Sequence, residues 1–107
     1  MKTPIALLKE FAPEFEKNQM EEKSLLFDHP DYQAIPAKYK VLIGIAAAAT
    51  AGSNTCTIMW VKMARYQGIS KKEITEALMV ARYMKQATVN DTANDAFSFL
   101  STEPEST

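Results

Sequence analysis

The segment Val41-Leu42-Ile43-Gly44-Ile45-Ala46-Ala47-Ala48-Ala49-Thr50-Ala51 constrains the fold more than any other stretch of the chain. It carries no charge and only one hydroxyl, so as a helix it is apolar on every side and must be covered on every side. It is about half the ~20 residues a membrane-spanning helix needs, which makes it a buried helix instead. The four alanines at 46–49 leave no bulky side chains, so neighbouring backbones can approach closely. Such a helix suits the centre of a bundle or a subunit interface.

The remaining pattern is helical throughout. Thr3-Pro4 is a cap followed by the residue type suited to the first helical position, and Ile5, Leu8 and Phe11 follow at helical spacing, so a first helix ends near Ala12. Pro13 opens a second through about Phe27, and Asp28-His29-Pro30-Asp31 breaks it. A third runs from about Ala37 to Ala51. Gly52-Ser53-Asn54 starts a fourth, from Asn54 to Gln67, with Cys56, Met59, Trp60 and Met63 on one face and Ile58 and Val61 on a second. Gly68 then acts as a left-handed terminator, and Ile69-Ser70-Lys71-Lys72-Glu73-Ile74 reads as a capping box with a hydrophobic staple. The helix it opens is expected to run from Lys71 to about Lys85. A last helix is marked by Val89, Ala93, Ala96, Phe97 and Leu100, and Ser101–Thr107 is expected to be a disordered tail. No strand pattern, repeat or linker interrupts this reading. An all-α single domain of about six helices, spanning residues 1–100, is expected.

Length and charge narrow the function classes. A chain of 107 residues holds one core, and oligomerising would add considerably to what it buries. With 12 basic and 13 acidic side chains interspersed, there is no basic stripe for nucleic acid or an anionic membrane, so neither partner is expected. One cysteine cannot close an intramolecular disulfide. Met1-Lys2-Thr3-Pro4 leads into a charged amphipathic stretch rather than the apolar region of a signal peptide, so a cytoplasmic location is expected.

Cys56 is the residue with chemistry to offer. A thiol in the first turn of a helix meets unpaired backbone N–H groups and the positive end of the macrodipole, which favour thiolate. Ser53, three residues earlier, can cap that helix or donate a hydrogen bond to the sulfur. The competing reading makes Cys56 a small buried hydrophobe beside Met59 and Trp60. His29, flanked by Asp28 and Asp31, is a weak corner for a metal or acid–base site and reads as a surface loop histidine. Methionines 59, 63, 79 and 84 have the spacing of core fillers rather than of a soft-metal site. No phosphate loop, nucleophile elbow or zinc spacing is present, and no cofactor or metal is expected.

The order of these features resembles the alkylhydroperoxidase D-like, or carboxymuconolactone decarboxylase-like, family of all-helical subunits. The resemblance covers about Ile35 to Leu100. It rests on Ile35-Pro36-Ala37-Lys38 before the alanine-rich helix, the cysteine-bearing helix, Gly68-Ile69-Ser70 with Glu73-Ile74, and the long helix through Ala81-Arg82-Tyr83. Peroxidase-type members carry a glutamate, eleven residues, and then Cys-x-x-Cys-x-x-x-His; the cysteines cycle between dithiol and disulfide while glutamate and histidine relay protons. On this chain the second cysteine falls on Cys56. Ser53 holds the first cysteine's place, Trp60 the histidine's and Val41 the glutamate's, and Thr55 stands where a histidine can occur between the cysteines. Lys85 and Ala87 occupy a later Gly-x-Pro stretch.

The resemblance implies a homo-oligomer, a trimer or hexamer, and a peroxidase-type (peroxiredoxin-like antioxidant) activity as the first expectation. Peroxide reduction through Cys56 alone would need an external thiol reductant, because no resolving cysteine exists. The alternative is a non-catalytic binding or structural oligomer using the apolar surroundings of Cys56 and Trp60. A lactone decarboxylase stands third, since Val41 and Trp60 leave no evident proton donor.

Overall fold

The computed structural model describes residues 2–105, and every regular element among them is helical. In chain order these are α1 (Pro4–Phe11), α2 (Pro13–Asp28), a short 3-10 turn (Pro30–Tyr32), α3 (Ala37–Ala51), α4 (Asn54–Tyr66) and α5 (Lys71–Thr102). The chain divides into two compact units at Lys40/Val41, inside the continuous helix α3.

In the first unit the punctuation read from sequence sets both helices. Thr3 accepts a hydrogen bond from the Ala6 N–H at 3.2 Å with Pro4 in the first turn, and Pro13 opens α2 directly after Ala12. At its end the His29 N–H reaches the Ser24 carbonyl at 3.1 Å, and Pro30, which has no N–H, starts the 3-10 turn. Lys40 donates its ammonium to the carbonyls of Leu26 and Tyr32, tying the following loop to the end of α2. No residue of α1 or α2 is buried.

The second unit holds the buried apolar residues, namely Val41 and Ile45 on α3, Ala64 on α4, Ile69 in the connection, and Ile74 and Ala81 on α5. Gly52 and Gly68 end α3 and α4 with φ of +81° and +84°, a region where a side chain is strained. After each, the chain turns back to cap the helix it leaves: the Ser53 N–H bonds the Ala48 carbonyl at 3.0 Å, and the Ile69 N–H bonds the Ala64 carbonyl at 3.0 Å. The capping box is complete, with the Glu73 N–H on Ser70 Oγ and the Ser70 N–H on Glu73 Oε1, both at 3.1 Å.

Three expectations change. The helix expected to stop near Lys85 and the one expected from Val89 are a single 32-residue helix, α5. The reason is visible in Gln86-Ala87-Thr88, which contains neither glycine nor proline; the next helix breaker is Pro104. Ser101 and Thr102, expected in the tail, complete its last turn, while Ser106 and Thr107 lie outside the described residues. The segment after Asp28, expected to be only a break, includes the 3-10 turn.

No helix among the described residues is long and apolar enough to cross a membrane. The apolar helix α3 is 15 residues long, too short to cross, and Ile43 on it is 54% exposed.

Candidate functional site

Cys56 is the third residue of α4, and its position follows from the turn before it. Gly52 reverses the chain after α3, which places Ser53 as the N-cap with its extended backbone at φ −88°, ψ 93°. Ser53 Oγ accepts the Cys56 N–H at 3.3 Å, and the Ser53 carbonyl accepts Thr57 Oγ1 at 2.7 Å. Ser53 therefore acts first as a cap. A hydroxyl accepting one hydrogen bond still has its own proton to donate, so the same group can serve a neighbouring thiolate.

Along α4 the inward line is Thr57, Trp60, Val61 and Ala64, with Ala64 fully buried. Cys56 and Met59 flank that line and are exposed, whereas Trp60 and Met63 are half-buried. The face drawn from sequence through Cys56, Met59, Trp60 and Met63 is thus split within one chain. Its sulfur-bearing edge faces outward and its indole faces inward. Ile58, placed on a second apolar face, is also exposed.

The indole of Trp60 lies over Gly44 of α3. A Cβ built on Gly44 would stand 3.5 Å from Trp60 Cε3 and 3.7 Å from Cζ3. Val41, one helical turn before Gly44, is 1% exposed and lies deep in the apolar core. Nothing can ionise at 41 or 60, and neither side chain can pass a proton to or from Cys56. The thiol itself is accessible.

His29 is engaged locally. Its Nδ1 accepts the Asp31 N–H at 3.1 Å, its ring lies 5.6 Å from that of Tyr32, and Asp31 Oδ2 stands 3.9 Å away. It belongs to the first unit and caps the 3-10 turn. No group of three or more His, Cys, Asp or Glu side chains among the described residues could hold a metal ion.

Two clefts were not anticipated from sequence. One, of about 670 Å³, lies along α2 and is lined by Met20, Leu25, Asp28 and His29 among others. The other, of about 380 Å³, lies between the end of α3 and the middle of α5. Its lining includes the apolar Ala49, Leu78 and Val89 and the basic Arg82 and Lys85. Lys85 Nζ stands 3.4 Å from the Thr50 carbonyl, a cation at the negative end of α3. The spacing of Arg82 and Lys85, one helical turn apart, was the available signal, but it acquires meaning only once α5 continues past Lys85. Neither cleft is lined by Cys56 or Trp60.

Comparison with known proteins gives one match. The model of the family described as Carboxymuconolactone decarboxylase family matches residues 14–98. No curated protein and no solved structure matches the chain. The matched stretch takes in the α3 and α4 that carry Val41, Ser53, Cys56 and Trp60, together with nearly all of α5. The chain belongs to the carboxymuconolactone decarboxylase family, the alkylhydroperoxidase D-like helical proteins.

Proposed function

We propose that this protein is a degenerate alkylhydroperoxidase D-like homo-oligomer that reduces peroxides through Cys56 alone, in the thiol-reducing cytoplasm. The observation that carries this reading is the placement of Cys56, exposed in the first turn of α4 with Ser53 beneath it. A structural core cysteine would be covered by the chain's own side chains, and this one is not.

The chemistry balances without a second protein cysteine. The Cys56 thiolate attacks one oxygen of the peroxide, the S–O bond forms as the O–O bond breaks, and an alkoxide leaves to take a proton from water. Sulfur is oxidised to sulfenic acid and the peroxide is reduced to an alcohol. An external thiol then condenses with the sulfenic acid, releasing water and leaving a mixed disulfide. A second external thiol displaces Cys56 as thiolate and carries the oxidising equivalents away as a disulfide. Ser53 is the candidate donor to the sulfur during these steps. Trp60 supplies a wall rather than a proton.

The test is peroxide consumption by the purified assembly with a small thiol as reductant, compared with Cys56→Ala. Turnover lost in Cys56→Ala at unchanged assembly mass supports the reading. Turnover that persists, or none in the wild type, overturns it.

The 380 Å³ cleft favours a second reading, ligand binding without turnover, because its apolar lining and two lining cations suit a small amphipathic anion. Decarboxylation of a carboxylated lactone is the third reading. It would need a proton donor from outside the positions held by Val41 and Trp60.

A further inference from the structure

The last helix carries two patterns that its own unit does not use. Met79, Tyr83, Gln86, Asn90, Ala93, Phe97 and Leu100 follow one another at alternate spacings of four and three residues, the interval of a coiled-coil seam. Met79 is 49% exposed, Tyr83 71%, Phe97 63% and Leu100 60%, so the apolar members of this stripe are uncovered. Ile74 and Ala81, the residues of α5 that are buried in its own unit, lie on a different side of the helix.

Charge is segregated along the same helix. Residues 71–85 carry four basic and two acidic side chains, whereas residues 86–105 carry four acidic side chains and no basic one. A parallel partner would set acid against acid, and an antiparallel copy sets each half against its complement.

We infer that α5 is a self-complementary surface that pairs antiparallel with α5 of a second copy, about a two-fold axis near Thr88. This rests on the homo-oligomer in the proposed function, not on its peroxide chemistry. This register accounts for the stripe from Met79 to Phe97, while Leu100 comes level with Glu76 of the second copy. With the axis at Thr88, Met79 meets Phe97 of the second copy, Tyr83 meets its Ala93, and Gln86 meets its Asn90. Lys85 comes level with Asp91 of the second copy. The two central amides face each other, where each can satisfy the other; a shift by one heptad would separate them, setting Asn90 against Met79 or Ala93 and Gln86 against Tyr83 or Phe97. An isologous contact of this kind is self-closing, so it limits growth to a pair or combines with another axis in a larger closed assembly.

The experiment uses the full chain with its native thiol removed by Cys56→Ser. Ala87→Cys lies beside the inferred axis, whereas Ser98→Cys lies ten residues from it, which separates its two copies by about 30 Å at 1.5 Å rise per residue. Under mild oxidation the Ala87→Cys chain should give mostly covalent dimer on a non-reducing gel, and the Ser98→Cys chain almost none. Absence of the Ala87→Cys dimer, or equal yields from both, overturns the inference. Light scattering of the parent chain separates the two failures. An oligomer without the Ala87→Cys bridge sinks only this surface, and a single-chain mass sinks both this surface and the homo-oligomer.

Discussion

Gly44 of α3 forms the seat of the Trp60 indole on α4, with room for one more carbon at ordinary contact distance, 3.5 Å from the ring. Gly44→Ala should therefore leave the ring in place and stabilise the protein by about 0.5–1 kcal/mol, because alanine removes the helix cost of glycine. Gly44→Leu must displace the indole and should destabilise by about 1–3 kcal/mol. Denaturant midpoints followed by Trp60 fluorescence distinguish the two, and a destabilised Gly44→Ala would contradict this geometry.

A glutamate placed at position 41, where the resemblance puts the family's relay glutamate, should fail structurally before it can act chemically. Val41 is 1% exposed in an apolar core. Val41→Glu should cost about 3 kcal/mol or more at neutral pH, since an unpaired carboxylate is buried. Burial raises a carboxyl pKa above its free value, so the charge penalty is absent below the free value of ~4.3 and grows as pH rises through the folded value. Unfolding curves at pH 4 and pH 7 should show the larger loss at pH 7.

Ser53→Cys recreates a Cys-x-x-Cys at the start of α4. Ser53 Oγ lies 3.3 Å from the Cys56 backbone nitrogen, so the new sulfur would sit one helical turn from the native one, across the same capping turn. Mild oxidation of this variant should remove both free thiols together, read as loss of two hydrogens by intact mass. Both thiols surviving oxidation would show that the turn holds the sulfurs apart. Ser53→Ala should instead cost about 1 kcal/mol through loss of the cap.

Cys56→Ala removes an exposed sulfur and should change stability by no more than about 0.5 kcal/mol. Iodoacetamide should modify Cys56 in the native protein. Reaction only after denaturation would mean that an interface buries the thiol and would remove the support for peroxide chemistry.

Thr88→Pro should break α5 where sequence reading placed a gap. Proline within a helix costs about 3 kcal/mol or more, so a large loss of helical circular dichroism with an early unfolding transition is expected. A near-neutral effect would favour two helices over the continuous one.

Much of this architecture was legible in the chain. Thr3-Pro4, Gly52-Ser53, Gly68 and Ser70–Glu73 are local devices whose chemistry depends on few neighbours, and each ends or starts a helix where the sequence places it. At Gln86-Ala87-Thr88 a lapse in apolar periodicity resembles a gap, whereas helix continuity is decided by backbone compatibility, and these residues have nothing to break it. The site was legible in its residues but not in its faces. Cys56 and Trp60 share a stripe by spacing, yet one turns outward and the other in, because the glycine that receives the indole belongs to a different helix. The register of α3 against α4 is a tertiary fact, and the sequence of α4 alone does not contain it.

Among the described residues, six apolar side chains are buried by the chain itself, and all of them lie from Val41 onward. So small a core leaves much of the folding free energy to whatever covers the remaining apolar surface. If that cover is another copy, mass action enters the stability of the fold: the unfolding midpoint should climb with protein concentration and fall on dilution. Abundance would then act as a structural variable, and a cell making too little of this chain would have less of it folded as well as less of it in total.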